Sequence, residues 1–333
     1  MQDTQNSPID IVIAWVDGSD PVLTQKRNNF LNSDLKSAPP GAAKTRFYSL
    51  SEVCYCVLSI LKFASFVRKI IIVTDQQDPK VHPLVEKYFP ERTADLRIVD
   101  HTEIFEGYEE YLPTFNSICI SNMLWRIKGL SEQFVYFNDD IFLVREVQPT
   151  DWFRKGLPVL RGKWALPPYE RLVWDQIKTF YWDKMFAIHK EPTPSFQVNQ
   201  WNAARLLGNT FRYFRSGHTP LAMSKKRLKK FFESHEEVLI QNIKYRFRNY
   251  NQFNTVALAN HLEIKDGNQN LDSIQAVYVQ PSKRNKNYLE EKFHKVANQK
   301  QKLFLCVQSL ELAPSTVQDL FFKKMNRLLE IEI

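Results

Sequence analysis

Ile9-Asp-Ile-Val-Ile-Ala-Trp-Val16 is an almost wholly apolar run that halts at Asp17-Gly18-Ser19-Asp20-Pro21. A short apolar run bounded by turn residues reads as a buried strand, and the Asp-Gly and Asp-Pro steps stop it in a turn. Three more runs repeat the pattern downstream. Val67 to Asp75 (VRKIIIVTD) is a second buried strand, Leu96 to Asp100 a third, and Gln133-Phe-Val-Tyr-Phe137 a fourth that runs into Asn138-Asp139-Asp140. Between them, Ser51 to Ala64 alternates at helical spacing, with Ser49 or Ser51 placed to cap its start, and Ser117 to Ile127 reads as a helix stopped by Gly129. Strands alternating with helices predict an α/β fold with a mostly parallel sheet. Several strands end in carboxylates, which gathers those acids at the strand C-terminal edge, where open α/β sheets bind ligands.

Outside this frame the pattern changes. Residues 22–45 form a polar stretch with Pro39-Pro40-Gly41, read as a loop. From Trp152 a Pro-containing loop leads into aromatic-rich helical stretches at 170–188, 199–208, 224–243 and 252–263, with Val277-Tyr278-Val279 as a late strand. The last segment, 315–331, places Val317, Leu320, Phe321, Met325, Leu328 and Leu329 at amphipathic spacing. Lys323, Lys324 and Arg327 beside that stripe leave two roles open, lying on anionic lipid or packing on the protein's own core.

Composition excludes several classes. With 333 residues, 44% of them hydrophobic and 25% charged, the chain buries a full core and is not a disordered tail. No apolar run approaches the ~20 residues of a membrane helix. Met1 to Pro8 lacks the layout of a secretory signal, so a cytoplasmic place is expected. Cys54, Cys56, Cys119 and Cys306 lack the paired spacing of a zinc site and read as buried reduced thiols. Charge is uneven: residues 201–333 hold 22 Lys and Arg against 12 Asp and Glu, the rest 23 against 25. A basic back half suits a phosphate-rich partner. Nucleic acid is one such partner, yet no nucleic-acid module is recognisable in the sequence.

Four groups of residues are candidates for chemistry. Asn138-Asp139-Asp140 offers the oxygen ligands that a hard cation such as Mg²⁺ takes, and such a metal neutralises a diphosphate in nucleotide-sugar enzymes. The same triplet also forms an Asx turn that merely ends a strand. Asp17 and Asp20 flank Gly18, which permits close backbone approach to a nucleotide, or the three make an ordinary turn. His218, in Arg215-Ser-Gly-His-Thr-Pro before the basic run 225–230, exchanges a proton near neutral pH. Arg246 and Arg248, alternating with Tyr245 and Phe247, are suited to clamp phosphate oxygens, or to form an exposed cationic face.

Together the strings resemble a known family. IDIVIAWVDGSDP, then RFYSLSEVCYCVLSILKFASFVRKIIIVTD, then LPTFNSICISNMLWRIKGLSEQFVYFNDD are similar to the first two conserved regions of Stealth proteins. His218 with its Thr-Pro, and Arg246-Phe-Arg248, resemble the third, and HKVANQKQKLFLCVQSL from His294 the fourth. The family includes bacterial capsule and exopolysaccharide hexose-1-phosphate transferases and the animal enzyme that adds GlcNAc-1-phosphate to lysosomal glycoproteins.

The resemblance implies an α/β nucleotide-sugar-binding core followed by a helical second half, spanning 8–312, with 313–333 as a separate terminal helix. The conserved blocks would fall at about 9–21, 46–153, 196–262 and 275–325. It implies a UDP-sugar donor, a saccharide acceptor, Mg²⁺ or Mn²⁺ held by Asp139 and Asp140, and UMP as leaving group. An anionic inner-membrane surface is a further expected partner. Asp140, His218 and Arg248 fall on its catalytic positions. Trp15, Asp17, Gly18, Asp20, Arg46, Asp75, Asn116, Asn138 and Arg246 fall on the substrate side. His218 would act as general base for the acceptor or as a hydrogen-bond donor to phosphate, and Asp140 would bind metal or orient His218. An ordinary metal-dependent glycosyltransferase releasing UDP is the alternative enzyme. Two positions depart from the family pattern: Ser121 stands where a Glu is usual, and Gln308-Ser309 where Asn-Asp is usual.

Overall fold

The structure, a computed structural model, describes residues 7–31, 50–186 and 192–333. Strand β1 (Ile9–Ala14) leads through the Asp17–Asp20 turn to helix α1 (Pro21–Asn28). Then follow α2 (Glu52–Phe63), β2 (Val67–Thr74), α3 (His82–Tyr88), β3 (Leu96–Asp100), the single turn α4 (His101–Ile104), α5 (Ser117–Met123) and β4 (Gln133–Asn138). β1 is central: β2 and β4 flank it in parallel, and β3 continues in parallel beyond β2. The predicted α/β frame with a mostly parallel sheet is what forms.

These strands are apolar almost throughout because both faces are covered. Ile11 and Ile13 of β1, Ile70 and Ile72 of β2, and Val135 and Phe137 of β4 enter one core with α2. Their neighbours Val12, Ile71, Val73, Phe134 and Tyr136 enter a second core with α5 on the opposite face. Asp10 is the exception inside β1. It is fully buried, and its carboxylate accepts from Arg68 Nε and Nη2 (2.8 and 2.5 Å) and from the Ser131 amide (2.7 Å), so the charge is both paired and hydrogen-bonded.

The second half follows as β5 (Ile141–Leu143), α6 (Pro149–Trp152), β6 (Phe153–Arg154), β7 (Leu157–Pro158), β8 (Leu160–Ala165), α7 (Tyr169–Phe186) and α8 (Phe196–Leu206). It continues with β9 (Tyr213–Ser216), β10 (Leu221–Ser224), α9 (Lys225–Ser234), α10 (Glu236–Ile243), α11 (Thr255–Lys265), β11 (Leu271–Asp272), β12 (Ala276–Val279), α12 (Lys286–Asn298), β13 (Phe304–Val307) and α13 (Ser315–Leu329). Helices dominate it as expected, and short strands accompany them. β10 closes the main sheet antiparallel to β4, while β12, β13 and β5 form a second sheet and β11, β8 and β9 a third.

Local details differ from the sequence reading. Ser51 sits at the start of α2 in a left-handed conformation and its side chain caps nothing; the Glu52 carboxylate instead accepts from the Leu50 amide at 2.7 Å. The stretch 224–243 is two helices, broken at His235, whose ring stacks on Phe231 (centroids 4.6 Å apart). The last two positions of 170–188 lie outside the described residues, as does Ser49.

Val317, Phe321, Met325 and Leu329 of α13 are buried in the same core as α2 and the second sheet. The helix spends its apolar face on the protein itself. α7, in contrast, leaves Val173, Trp174, Ile177, Phe180 and Met185 exposed. Among the described residues no helix is long and apolar enough to cross a membrane.

Candidate active site

The C-terminal edge of the parallel strands carries the candidate residues. At the end of β4 the chain leaves the main sheet, turns through Asp139 and Asp140, and enters β5 of the second sheet. The turn reading of Asn138-Asp139-Asp140 is therefore correct as backbone, and it sets both carboxylates at the junction of two sheets. β13 secures the turn from the far side, the Val307 amide donating to the Asp140 carbonyl at 3.0 Å.

Two connected lobes open over this turn. The first, of about 250 Å³, is lined by Trp15 after β1, His101 after β3, Phe115, Asn116 and Ser117 at the start of α5, and Asn138, Asp139, Asp140, Arg248 and Gln308. The second, of about 610 Å³, shares Ser117, Asn138, Asp139, Asp140, Arg248 and Gln308, and adds Glu52, Ser121, Phe196, His218 and Glu311. Asp140, His218 and Arg248, which stand far apart in the sequence, thus line one cavity.

Arg248 is aimed by Ser117, whose hydroxyl accepts from Nη2 at 2.6 Å. His218 lies between two rings, Phe196 at 5.0 Å and Tyr278 at 5.2 Å between centroids. Its Nδ1 meets Gln308 Nε2 at 3.2 Å, and burial pushes its pKa below the ordinary histidine value, leaving the ring neutral near pH 7.

The acids are strained in charge. Burial, then Asp140 and Glu52, push Asp139 well above the usual carboxylate range, and burial followed by Glu52 pushes Asp140 up to about 7. Asp140 Oδ1 is a buried oxygen with no hydrogen-bond partner, while Oδ2 faces the Cys306 thiol at 3.9 Å. An orphaned carboxylate oxygen beside a second carboxylate is what a hard cation would satisfy, so these two residues fit a divalent metal. Among the described residues no group of three His, Cys, Asp or Glu side chains is arranged to hold one. Asp139 and Asp140 would leave further positions to water or substrate oxygens. Ser121, where a carboxylate was expected, exchanges a hydrogen bond with Thr255 Oγ1 at 2.8 Å and donates to the Ile118 carbonyl, so its hydroxyl is used locally.

Of the other sequence candidates, Asp17, Gly18, Asp20, Asp75 and Arg246 are not among the residues that line the two lobes. Asp17 accepts from the Ser19 amide and hydroxyl (2.8 and 2.6 Å), and Asp20 caps α1 through the Leu23 amide at 2.8 Å. Gly18 lends its carbonyl to Thr24 Oγ1. Asp75 pairs with Lys26 at 3.0 Å. Arg246 does not join Arg248: its guanidinium donates to the Pro113 and Glu110 carbonyls and lies 4.3 Å from the Phe30 ring centre. Asn116 lines the first lobe, but its side chain is engaged by the Ile118 amide, the Tyr245 carbonyl and Gln252. Arg46 lies outside the described residues.

Sequence reading missed His101, Ser117, Glu52, Phe196 and Tyr278, and treated Gln308 only as a departure from pattern. A helix-starting acid at 52 was the one available signal. All four cysteines are free and buried, and burial pushes each thiol upward, so none is a reactive thiolate.

His101 and a second buried histidine carry a consequence for stability. Burial holds each at about 4 against an ordinary 6.5. His261 Nε2 accepts from the Phe214 amide, which only the neutral ring can do. A histidine held low binds its proton in the unfolded chain first. The stabilisation is thus complete above pH 6.5, falls as pH drops from 6.5 to 4, and is lost below. Urea unfolding at pH 7.5 and 4.5 should show a loss of about 2.5 kcal/mol per histidine. His261→Gln, whose side-chain oxygen also accepts, should flatten that dependence; an unchanged slope would contradict the assignment.

Known proteins share parts of this sequence. Residues 46–159 match the family model described as Stealth protein CR2, conserved region 2, and residues 7–34 match Stealth protein CR1, conserved region 1. A capsular polysaccharide phosphotransferase of Actinobacillus pleuropneumoniae is 41% identical over 177 residues, 49% of this chain and 45% of the relative. A capsular polysaccharide phosphotransferase of Haemophilus influenzae is 32% identical over 252 residues, 74% of this chain and 62% of the relative. The chain spans about half the length of the first of these relatives. Among solved structures, galactosyltransferase LgtC with donor and acceptor sugar analogues has a TM-score of 0.45 at 11% identity, covering 96% of this chain and 95% of that one. Asp139 and Asp140 fall inside the matched CR2 region, and His218 and Arg248 beyond it.

Proposed function

We propose that this chain, a Stealth protein through its conserved regions 1 and 2, transfers hexose- or N-acetylhexosamine-1-phosphate from a UDP-sugar to a hydroxyl of a growing capsular or exopolysaccharide. The observation that supports it best is the convergence of Arg248, His218 and the Asp139-Asp140 turn on one cavity at the sheet's C-terminal edge. The matched relatives bear the names of capsular phosphotransferases.

The acceptor oxygen attacks the phosphorus attached to the donor sugar, the bond between the two phosphates breaks, and UMP leaves with the bridging oxygen. Trp15, Phe115 and Asn116 in the smaller lobe suit the nucleotide, and the larger lobe around His218 suits the acceptor. Arg248, held by Ser117, faces the charge that develops on the phosphoryl oxygens. His218 acts there as donor or base. Asp139 and Asp140 would hold Mg²⁺ or Mn²⁺, which when bound neutralises phosphate charge. Arg246, tied to Pro113 and Glu110, supports the loop that carries Phe115 and does not act on substrate.

Contact with an anionic membrane surface belongs to the same proposal. The apolar face of α13 is buried, and the exposed aromatic side chains of α7 offer a surface for it.

The nucleotide product tests the reaction. Chromatography of a spent reaction with UDP-sugar, acceptor and Mg²⁺ should show UMP, and the polymer should carry an acid-labile sugar-1-phosphate diester. UDP as the dominant nucleotide, with no phosphorus in the polymer, would make the chain a glycosyltransferase instead.

A further inference from the structure

We propose that Gln308 is a positioning residue that fixes the tautomer of His218, so that the imidazole presents Nε2–H to the cavity and donates a hydrogen bond there rather than removing the acceptor's proton. The role at phosphate rests on the phosphoryl-transfer reading above; the tautomer itself does not.

The chain of contacts starts in the second sheet. β12 and β13 run parallel with Val279 opposite Val307, and the Gln308 amide donates to the Val279 carbonyl at 2.9 Å. Tyr278 and Gln308 therefore occupy adjacent strands at one level. The Tyr278 hydroxyl donates to Gln308 Oε1 at 2.7 Å. Burial raises the pKa of that phenol, so it remains a donor at neutral pH. With its oxygen so engaged, the carboxamide turns its other end, Nε2, toward His218 Nδ1. An amide NH₂ can only donate, so Nδ1 receives it through its lone pair. A neutral imidazole that accepts at Nδ1 carries its proton at Nε2.

Packing makes the orientation hard to escape. The ring lies between Phe196 and Tyr278 at interplanar angles of 24° and 31°, which leaves its edges, not its faces, for polar contact. One edge is taken by Gln308. Nε2 on the other makes no hydrogen bond among the described residues, and His218 lines the larger lobe. A neutral N–H at that place can hold a phosphoryl oxygen. It cannot take a proton at Nε2, because that nitrogen already bears one. The acceptor hydroxyl's proton is then released to water as the new oxygen–phosphorus bond forms and the bond to UMP breaks.

Long-range ¹H–¹⁵N correlation on ¹⁵N-histidine-labelled protein reads the tautomer without any turnover. For His218 we expect Nδ1 unprotonated and Nε2 protonated at pH 7.5. Gln308→Leu removes both hydrogen bonds and should mix the tautomers, lowering kcat about 10-fold with KM little changed, the loss expected from one misdirected hydrogen bond at the transition state. Tyr278→Phe, a milder change that frees the carboxamide to flip, should mix them in part. Gln308→Glu should move the proton to Nδ1 and raise the ring's titration midpoint. Nδ1–H in the wild type, or a tautomer and kcat unmoved by Gln308→Leu, would overturn the proposal. Nε2–H with no UMP released from any donor would count against the phosphoryl-transfer reading and leave the tautomer assignment standing.

Discussion

Asp140→Ala is expected to lower sugar-phosphate transfer by about 10³-fold or more, with Asp139→Ala close behind and EDTA reproducing both in the wild type. Several kcal/mol of charge stabilisation at a transferring phosphoryl group corresponds to rate losses of that size. The fold should survive. In the metal-free protein the two acids are half-buried, and burial together with Asp140 and Glu52 at Asp139, and Glu52 at Asp140, disfavours their charge, so they contribute cost rather than stability there. Asp140→Asn should therefore raise the melting temperature of EDTA-treated protein, the reverse of what an ordinary buried polar substitution does. Mg²⁺ should raise the wild-type melting temperature and leave the Asn variant unmoved, because a ligand stabilises only the state that binds it. Undiminished transfer in EDTA, or a variant that melts lower without metal, would remove the cation from Asp139 and Asp140.

That the acidic turn was legible at all follows from how parallel sheets are built. Strands covered on both faces are apolar at nearly every position, so β1, β2 and β4 stand out as runs, and the first polar residues after them mark the ligand-binding edge. Most strands missed in the second half are short or lie at edges, and β8, six residues between β11 and β9, is broken up by Arg161, Gly162 and Lys163. β10 has only four residues, Leu221–Ser224, and Pro220 precedes it. Its pairing with β4 is decided by tertiary contact, not by local pattern. The arginines show a second limit. Arg246 and Arg248 differ by two positions in an irregular segment, where no period fixes direction. Phe247 between them stacks on Phe115 at 5.4 Å, and the flanking cations go to different partners, Arg246 to the Phe30 ring and Arg248 to Ser117. Asp17 and Asp20 were ambiguous for the opposite reason: a short acid beside a turn is satisfied by its own backbone, whatever else is nearby. Gln308 was visible only as a departure from a family pattern. Its reach to both Tyr278 and His218 depends on the β12–β13 register, which no spacing in the sequence encodes.

Truncation after Pro314 is expected to cost the whole fold. α13 carries two kinds of residue on opposite faces, and the amphipathic pattern alone fitted lipid as well as core. In the structure Val317, Phe321, Met325 and Leu329 are at most 3% exposed, and Phe321 meets Phe142 at 5.6 Å and Phe293 at 6.2 Å. Asn326 accepts from the Tyr55 hydroxyl at 2.8 Å, tying the helix to α2. Burying four such side chains contributes roughly 6–12 kcal/mol, somewhat less against a compact unfolded chain. That equals the roughly 5–15 kcal/mol by which a whole domain is stable. The removed helix would also expose its partners on α2 and β5 to water, so the shortened chain should be insoluble or melt without a cooperative transition. Lys323 and Arg327 are exposed on the outer side, and Lys323→Glu with Arg327→Glu should leave melting within about 0.5 kcal/mol of wild type. Circular dichroism melts and flotation with phosphatidylglycerol vesicles separate the two roles. A shortened protein that stays soluble, melts cooperatively and no longer floats with the vesicles would place α13 on lipid and leave the core to the rest of the chain.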